Sequence, residues 1–179
     1  MRHRLPLVVL ALVCAAPAAA LDLPARKPGL WEIKMAFEGR NLPAQTSQHC
    51  IDAETDKLMQ SVGGGMREDM CSKRDVQKVG ATIVIDSVCK VGDATTTSHA
   101  EVSGDFSSAY TVKVSSKREG GRPLPGRPAD GTSTMTIDAK WTGACGDLKP
   151  GDMVMLGRKM NIHDMQKMGM PGAAPAPKK

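Results

Sequence analysis

A two-residue alternation of apolar and polar side chains recurs along this chain and restricts it, more than any other feature, to antiparallel sheet. Trp31, Ile33, Met35 and Phe37 fall on one side of a would-be strand, with Glu32, Lys34, Ala36 and Glu38 on the other. Side chains on extended backbone alternate between two faces, so this pattern marks a half-buried strand. The rule also picks out Ile83, Ile85, Ser87 and Cys89, then Phe106, Ser108, Tyr110, Val112 and Val114, then Met135, Ile137, Ala139 and Trp141. Thr95 to Ser103 reads as a Thr-rich strand and Cys71 to Val79 as a weaker one. Breaks at Gly80, Gly92-Asp93 and Gly104-Asp105 are short, as in hairpin-linked neighbours. One helix is expected, capped by Asp52, with Glu54 and Asp56 in its first turn, Leu58, Met59 and Val62 on its apolar side and Gly63-Gly64-Gly65 as its stop. The expected fold is α+β but mainly β: an antiparallel meander of about six strands, a curved sheet or partial barrel, with one short helix.

The first 20 residues read as a secretory leader. Arg2 and Arg4 precede an apolar run from Leu5 to Val13, and Ala18-Ala19-Ala20 supplies small residues for cleavage. The run is shorter than the roughly 20 apolar residues a membrane span needs, and no second run follows. Cys14 lacks the small residue directly before it that a lipoprotein cysteine would have, so it is expected to leave with the leader. The mature chain then starts at Leu21 as a single β-rich domain over 21–170, with residues 171–179 a disordered tail and no transmembrane span. Its expected location is periplasmic or secreted. Loss of Arg2 and Arg4 lowers the net charge from +5 to +3. That mild, interspersed balance implies solubility, not a polyanionic partner. Aromatic residues make up only 3% of the chain, which also argues against nucleic acid read by base stacking.

Export leaves Cys50, Cys71, Cys89 and Cys145, an even number in an oxidising compartment and hence a framework of two disulfides. No CxxC pair is present to suggest redox or zinc chemistry. Of the three pairings, Cys50–Cys71 and Cys89–Cys145 is favoured, the first closing a local helical loop and the second tying a strand to a later one.

Pro28-Gly29-Leu30-Trp31-Glu32, the order of the four cysteines, the strand between Gly80 and Cys89, and Gly143-Ala144-Cys145-Gly146-Asp147 together resemble the secreted proteobacterial family catalogued as domain of unknown function 3617. The resemblance covers roughly Arg26 to Lys159. It implies an envelope location, a small β-rich domain and paired cysteines, and brings no activity with it.

Catalytic signals are sparse. There is no GxSxG elbow, and Gly63-Gly64-Gly65 lacks the Lys-Ser/Thr of a phosphate loop. His49 beside Cys50 would serve nucleophilic catalysis only with a free thiol; His99 reads as exposed or simply hydrogen-bonded. Asp147 and Asp152 are read as turn residues. Trp31, Phe37, Tyr110 and Trp141 are candidates for lining an apolar cavity in a curved sheet, though the two tryptophans also suit a core. Met153, Met155, Met160, His163, Met165, Met168 and Met170 form a segment whose thioethers and imidazole suit copper(I), if a flexible chain wraps the ion, or simply fill gaps in a core. The Arg-Pro stretch 118–130, with Arg118, Arg122 and Arg127, is expected as a long exposed loop that an anionic partner would feel. The resulting function is a non-enzymatic binding or interaction domain without cofactor, for a small apolar ligand or another envelope protein. The alternative is a periplasmic copper(I)-binding protein using the methionine segment.

Overall fold

A computed structural model describes residues 23–39, 42–63, 70–122 and 130–167. The stretches expected above to be a leader (1–20) and a tail (171–179), together with Gly64, Gly65, Arg127, Met168 and Met170, lie outside the described residues. Among the described residues, nine strands form one continuous antiparallel sheet in the order β3-β4-β5-β6-β7-β1-β2-β8-β9. They are β1 (Gly29–Phe37), β2 (Gln45–Ile51), β3 (Cys71–Val79), β4 (Thr82–Val91), β5 (Ala94–Asp105), β6 (Ala109–Glu119), β7 (Gly131–Gly143), β8 (Asp152–Met155) and β9 (Arg158–Asn161). Helix α1 (Ala53–Gly63) follows β2, and a short α2 (Ile162–Lys167) follows β9. The sheet is curved and open, with β3 and β9 at its edges. Among the described residues no helix is long and apolar enough to cross a membrane.

Strand register turns the alternation into rows that cross the sheet. Trp31 stands opposite Trp141 on β7 and His49 on β2, and His49 opposite Met153 on β8. The next row joins Ile33, Ala139, Tyr110 and Gly104, and the next Met35, Ile137, Val112, Val102 and Ile83. A fourth runs from Phe37 through Met135, Val114, Ala100 and Ile85 to Val76. Beyond it the same face turns polar, through Ser133, Ser116, Ser98 and Ser87 to Arg74. This is the inner face of the sheet.

The core gathers where the helices meet the first two rows. Trp31, Ile33, Ile51 and Ala139 from the sheet pack with Met59 of α1 and Ile162 of α2, and Leu58, Met153 and Met165 adjoin them. The α1 N-terminus is closed reciprocally. Asp52 Oδ1 accepts the backbone N–H of Thr55 at 2.9 Å, and Thr55 Oγ1 accepts the N–H of Asp52 at 2.9 Å. The Thr55 backbone N–H, and the Thr55 hydroxyl donating to Asp52 Oδ1 at 2.7 Å, hold the Asp52 carboxyl below its ordinary value.

The disulfides pair as Cys50–Cys145 and Cys71–Cys89, not as Cys50–Cys71 and Cys89–Cys145. The reason is register. Cys71 and Cys89 are directly opposed across the β3–β4 hairpin. Cys50 faces Leu30 on β1, and Leu30 faces Gly143 on β7, two residues before Cys145. The long bridge therefore spans the entry of β1 and fastens β2 to the chain leaving β7.

Candidate functional site

The segment before β1 is fixed by a buried ion pair. Arg26 and Asp56 are 8% and 1% exposed, and Arg26 Nε meets Asp56 Oδ1 at 2.6 Å. Asp56 Oδ2 also accepts the backbone N–H of Arg26 and the side-chain amide of Gln60, each at 2.9 Å. The guanidinium reaches the Tyr110 hydroxyl at 3.4 Å and Met59 Sδ at 3.9 Å. A buried charge is tolerated only when paired and hydrogen-bonded, and here both conditions are met. The pair locks the N-terminal segment onto α1, and the backbone N–H of Lys27 donates to Phe106 O at 2.9 Å. Arg26 is one charge among many in the sequence, and Asp56 reads there only as a first-turn acid of the helix.

Where this segment crosses the tips of the β3–β4 and β5–β6 hairpins, a cleft of about 550 Å³ opens, lined by Pro24, Lys78, Gly80, Ala81, Ile83, Gly104 and Phe106. Its volume falls within the range of small-molecule sites. Asp105 shapes the tip by accepting hydrogen bonds from the Ser107 backbone and from the hydroxyls of Ser107 and Ser108. Phe106 stacks on Tyr110 at 4.9 Å between centroids, and Tyr110 tilts against Trp31 at 5.5 Å. Gly104 is required here: a Cβ on it would lie 2.6 Å from Ala109 O and 2.7 Å from Tyr110 Cα. Ile83 belongs to both the cleft and the third row, so the cleft leads onto the inner face.

The four aromatic candidates do not line one cavity. Trp31 is fully buried in the core, donating Nε1–H to Lys27 O at 2.8 Å. Trp141 is half-buried beside it, bonded to Pro28 O at 3.1 Å, with Lys27 Nζ 3.6 Å from its ring centroid. Tyr110 bridges core and cleft, and Phe37 sits far along β1 on the fourth row. Pro24 and Phe106, which sequence reasoning did not assign to the site, supply its walls. Alternation places Phe106 in one strand with Tyr110, whereas β6 begins only at Ala109 and Phe106 sits in the turn before it.

The methionine segment is not a flexible wrap where it is described. Met153 and Met155 lie on β8, Met160 on β9, and His163 and Met165 on α2. Met153 and Met165 pack against the core, while Met155 is exposed. A tight turn with positive φ at Leu156 and Gly157 joins the strands. Asp152 clamps the hairpin, accepting the Asn161 side-chain N–H and the Lys149 backbone N–H at 2.9 Å each, bonds that hold its carboxyl below the usual value.

His49 is held far from the charged state: burial first, and the nearby Arg26 guanidinium second, push its pKa down to about 4. Cys50 beside it is in a disulfide, which removes the thiol a Cys–His nucleophile needs. His99 is exposed on the outer face, with Nδ1 2.8 Å from Asp86 Oδ1. Arg118 belongs to β6, opposite Thr96 and Gly131, so the connection to β7 is shorter than the Arg-Pro stretch suggests. Among the described residues no three His, Cys, Asp or Glu side chains converge to hold a metal ion.

These features define a curved, disulfide-tied antiparallel sheet with a half-covered apolar inner face. Residues 26–145 match the family model described as a protein of unknown function, DUF3617, and the chain belongs to that family. Both disulfides, the Arg26–Asp56 pair and the cleft lining apart from Pro24 fall within the matched residues, whereas β8, β9 and α2 follow them. No curated protein and no solved structure matches the chain.

Proposed function

We propose that the protein is a non-enzymatic binding module that works outside the cytoplasm and receives an elongated apolar ligand, such as a fatty acyl chain, across the inner face of its sheet. The observation that carries this reading is the fourth row with its neighbour. Phe37, Met135, Val114, Ala100, Ile85 and Val76 are all half-buried, and they extend past the part of the face that α1 and α2 close over. Six strands at the usual spacing make a trough about 24 Å long. Apolar area left partly open to water in this way carries a free-energy gain for whatever covers it, roughly 25 cal/mol per Å². The serine row, with Ser98 and Ser116 hydroxyls 3.0 Å apart, gives the trough a polar margin, and Lys78 offers a charge at the cleft for an anionic head.

Export is supported by the three-part composition of residues 1–20 and by the use of Cys50, Cys71, Cys89 and Cys145 in disulfides. Native mass spectrometry after incubation with oleate tests the reading. A single 1:1 adduct is expected. A protein that stays bare with oleate and with shorter fatty acids overturns it.

A further inference from the structure

The first row of the inner face continues, on its other side, into a set of donors that the apolar-ligand reading does not use. His49 on β2 is directly opposite Met153 on β8, and Met153 is directly opposite Met160 on β9. Directly opposed residues of antiparallel strands carry Cβ atoms roughly 4.5–5.5 Å apart on one side of the sheet. One imidazole and two long, adaptable thioethers thus share one patch, half-buried, beside the fully buried Trp31. Of the methionines clustered in sequence, the fold selects two and adds a histidine about a hundred residues upstream.

We propose that this row binds a soft monovalent cation of the copper(I) class, with His49 Nδ1, Met153 Sδ and Met160 Sδ as its three ligands. Ser47 orients the ring: its Oγ lies 3.1 Å from His49 Nε2, and an Nε2–H donated to it leaves the Nδ1 lone pair for the metal. Thioether and imidazole are the donors that soft ions select, whereas Mg²⁺ and Ca²⁺ need oxygen. All three donors are uncharged, and the Arg26 charge near His49 is already met by Asp56 at 2.6 Å, so the site favours a single positive charge over two. The Asp152 clamp holds β8 and β9 in register, so that Met153 and Met160 are presented together.

The test is an anaerobic titration of the full protein with copper(I) against a chromophoric copper(I) chelator. One equivalent is expected to move from chelator to protein. Met153→Leu and Met160→Leu keep the side-chain volume, and each is expected to weaken binding at least tenfold, as is His49→Gln. The pair Met168→Leu with Met170→Leu is expected to leave it unchanged. Silver(I) added to the unmutated protein should shift the methyl resonances of Met153 and Met160, which needs no variant to fold. The inference is overturned if the protein draws no copper(I) from the chelator, or if the Met153→Leu, Met160→Leu double variant retains the affinity. It also fails if binding is lost only with Met168 and Met170, or if silver(I) moves neither resonance.

Discussion

A neutral histidine in a partly covered sheet face makes stability sensitive to mild acid. Because the folded pKa of His49 lies near 4, below its ordinary value of 6.5, the unfolded chain binds the proton first. The contribution is therefore complete above pH 6.5 and is lost as pH falls from 6.5 towards 4. A shift of this size corresponds to something on the order of 3 kcal/mol. Urea midpoints measured across that window should fall for the unmutated protein, and His49→Gln should flatten the profile; an unchanged slope in the variant would assign the effect elsewhere. Asp52 and Asp152, whose carboxyls are held low by their hydrogen bonds, act in the same sense further down, below their ordinary value of 3.8. Arg26 and Asp56 form the other residue-scale commitment. Losing one partner would strand a buried charge, so the segment that roofs the cleft depends on both.

Among the elements, the two disulfides constrain different things. Cys71–Cys89 closes 18 residues within one hairpin, whereas Cys50–Cys145 closes 95 and joins β2 to the exit of β7. Loop-closure entropy gives about 3 kcal/mol for the short loop and nearer 4–5 kcal/mol for the long one. Replacing Cys50 and Cys145 together with Ala should therefore lower unfolding stability more than replacing Cys71 and Cys89, as read from non-reducing urea curves. The reverse order would contradict it.

The strands with clean alternation were legible because one face of each meets the core and the other meets water. β2 was not, because its inner-face residues Gln45, Ser47 and His49 are polar and only Cys50 and Ile51 are buried. β8 and β9 escaped for a different reason. Four residues are too few to show a period, and their turn uses Leu156 at positive φ where Asn or Gly would have signalled it. The cysteine count predicted the bridges, but the pairing of Cys50 with Cys145 depends on a sheet order in which β1 lies between β2 and β7, which no local pattern encodes.

At the scale of the whole molecule, two short helices cover only part of a nine-stranded inner face, and sparse aromatics leave that cover thin. Trp31 and Tyr110 fill the closed end, while Phe37 with Met, Val, Ile and Ala residues makes up the open rows. The methionines, puzzling in sequence as a run, divide by register between the core, the row with His49, and an exposed position at Met155. Ala100 marks the middle of the fourth row, where the face has least bulk. The most direct measurement is an equilibrium titration with a fluorescent fatty acid, comparing the unmutated protein with Ala100→Phe. Saturable 1:1 binding, weakened tenfold or more by the added ring while the thermal midpoint stays within a few degrees, is the predicted result. Equal binding by both proteins, or none by the unmutated one, would contradict the assignment of the inner face as the ligand site.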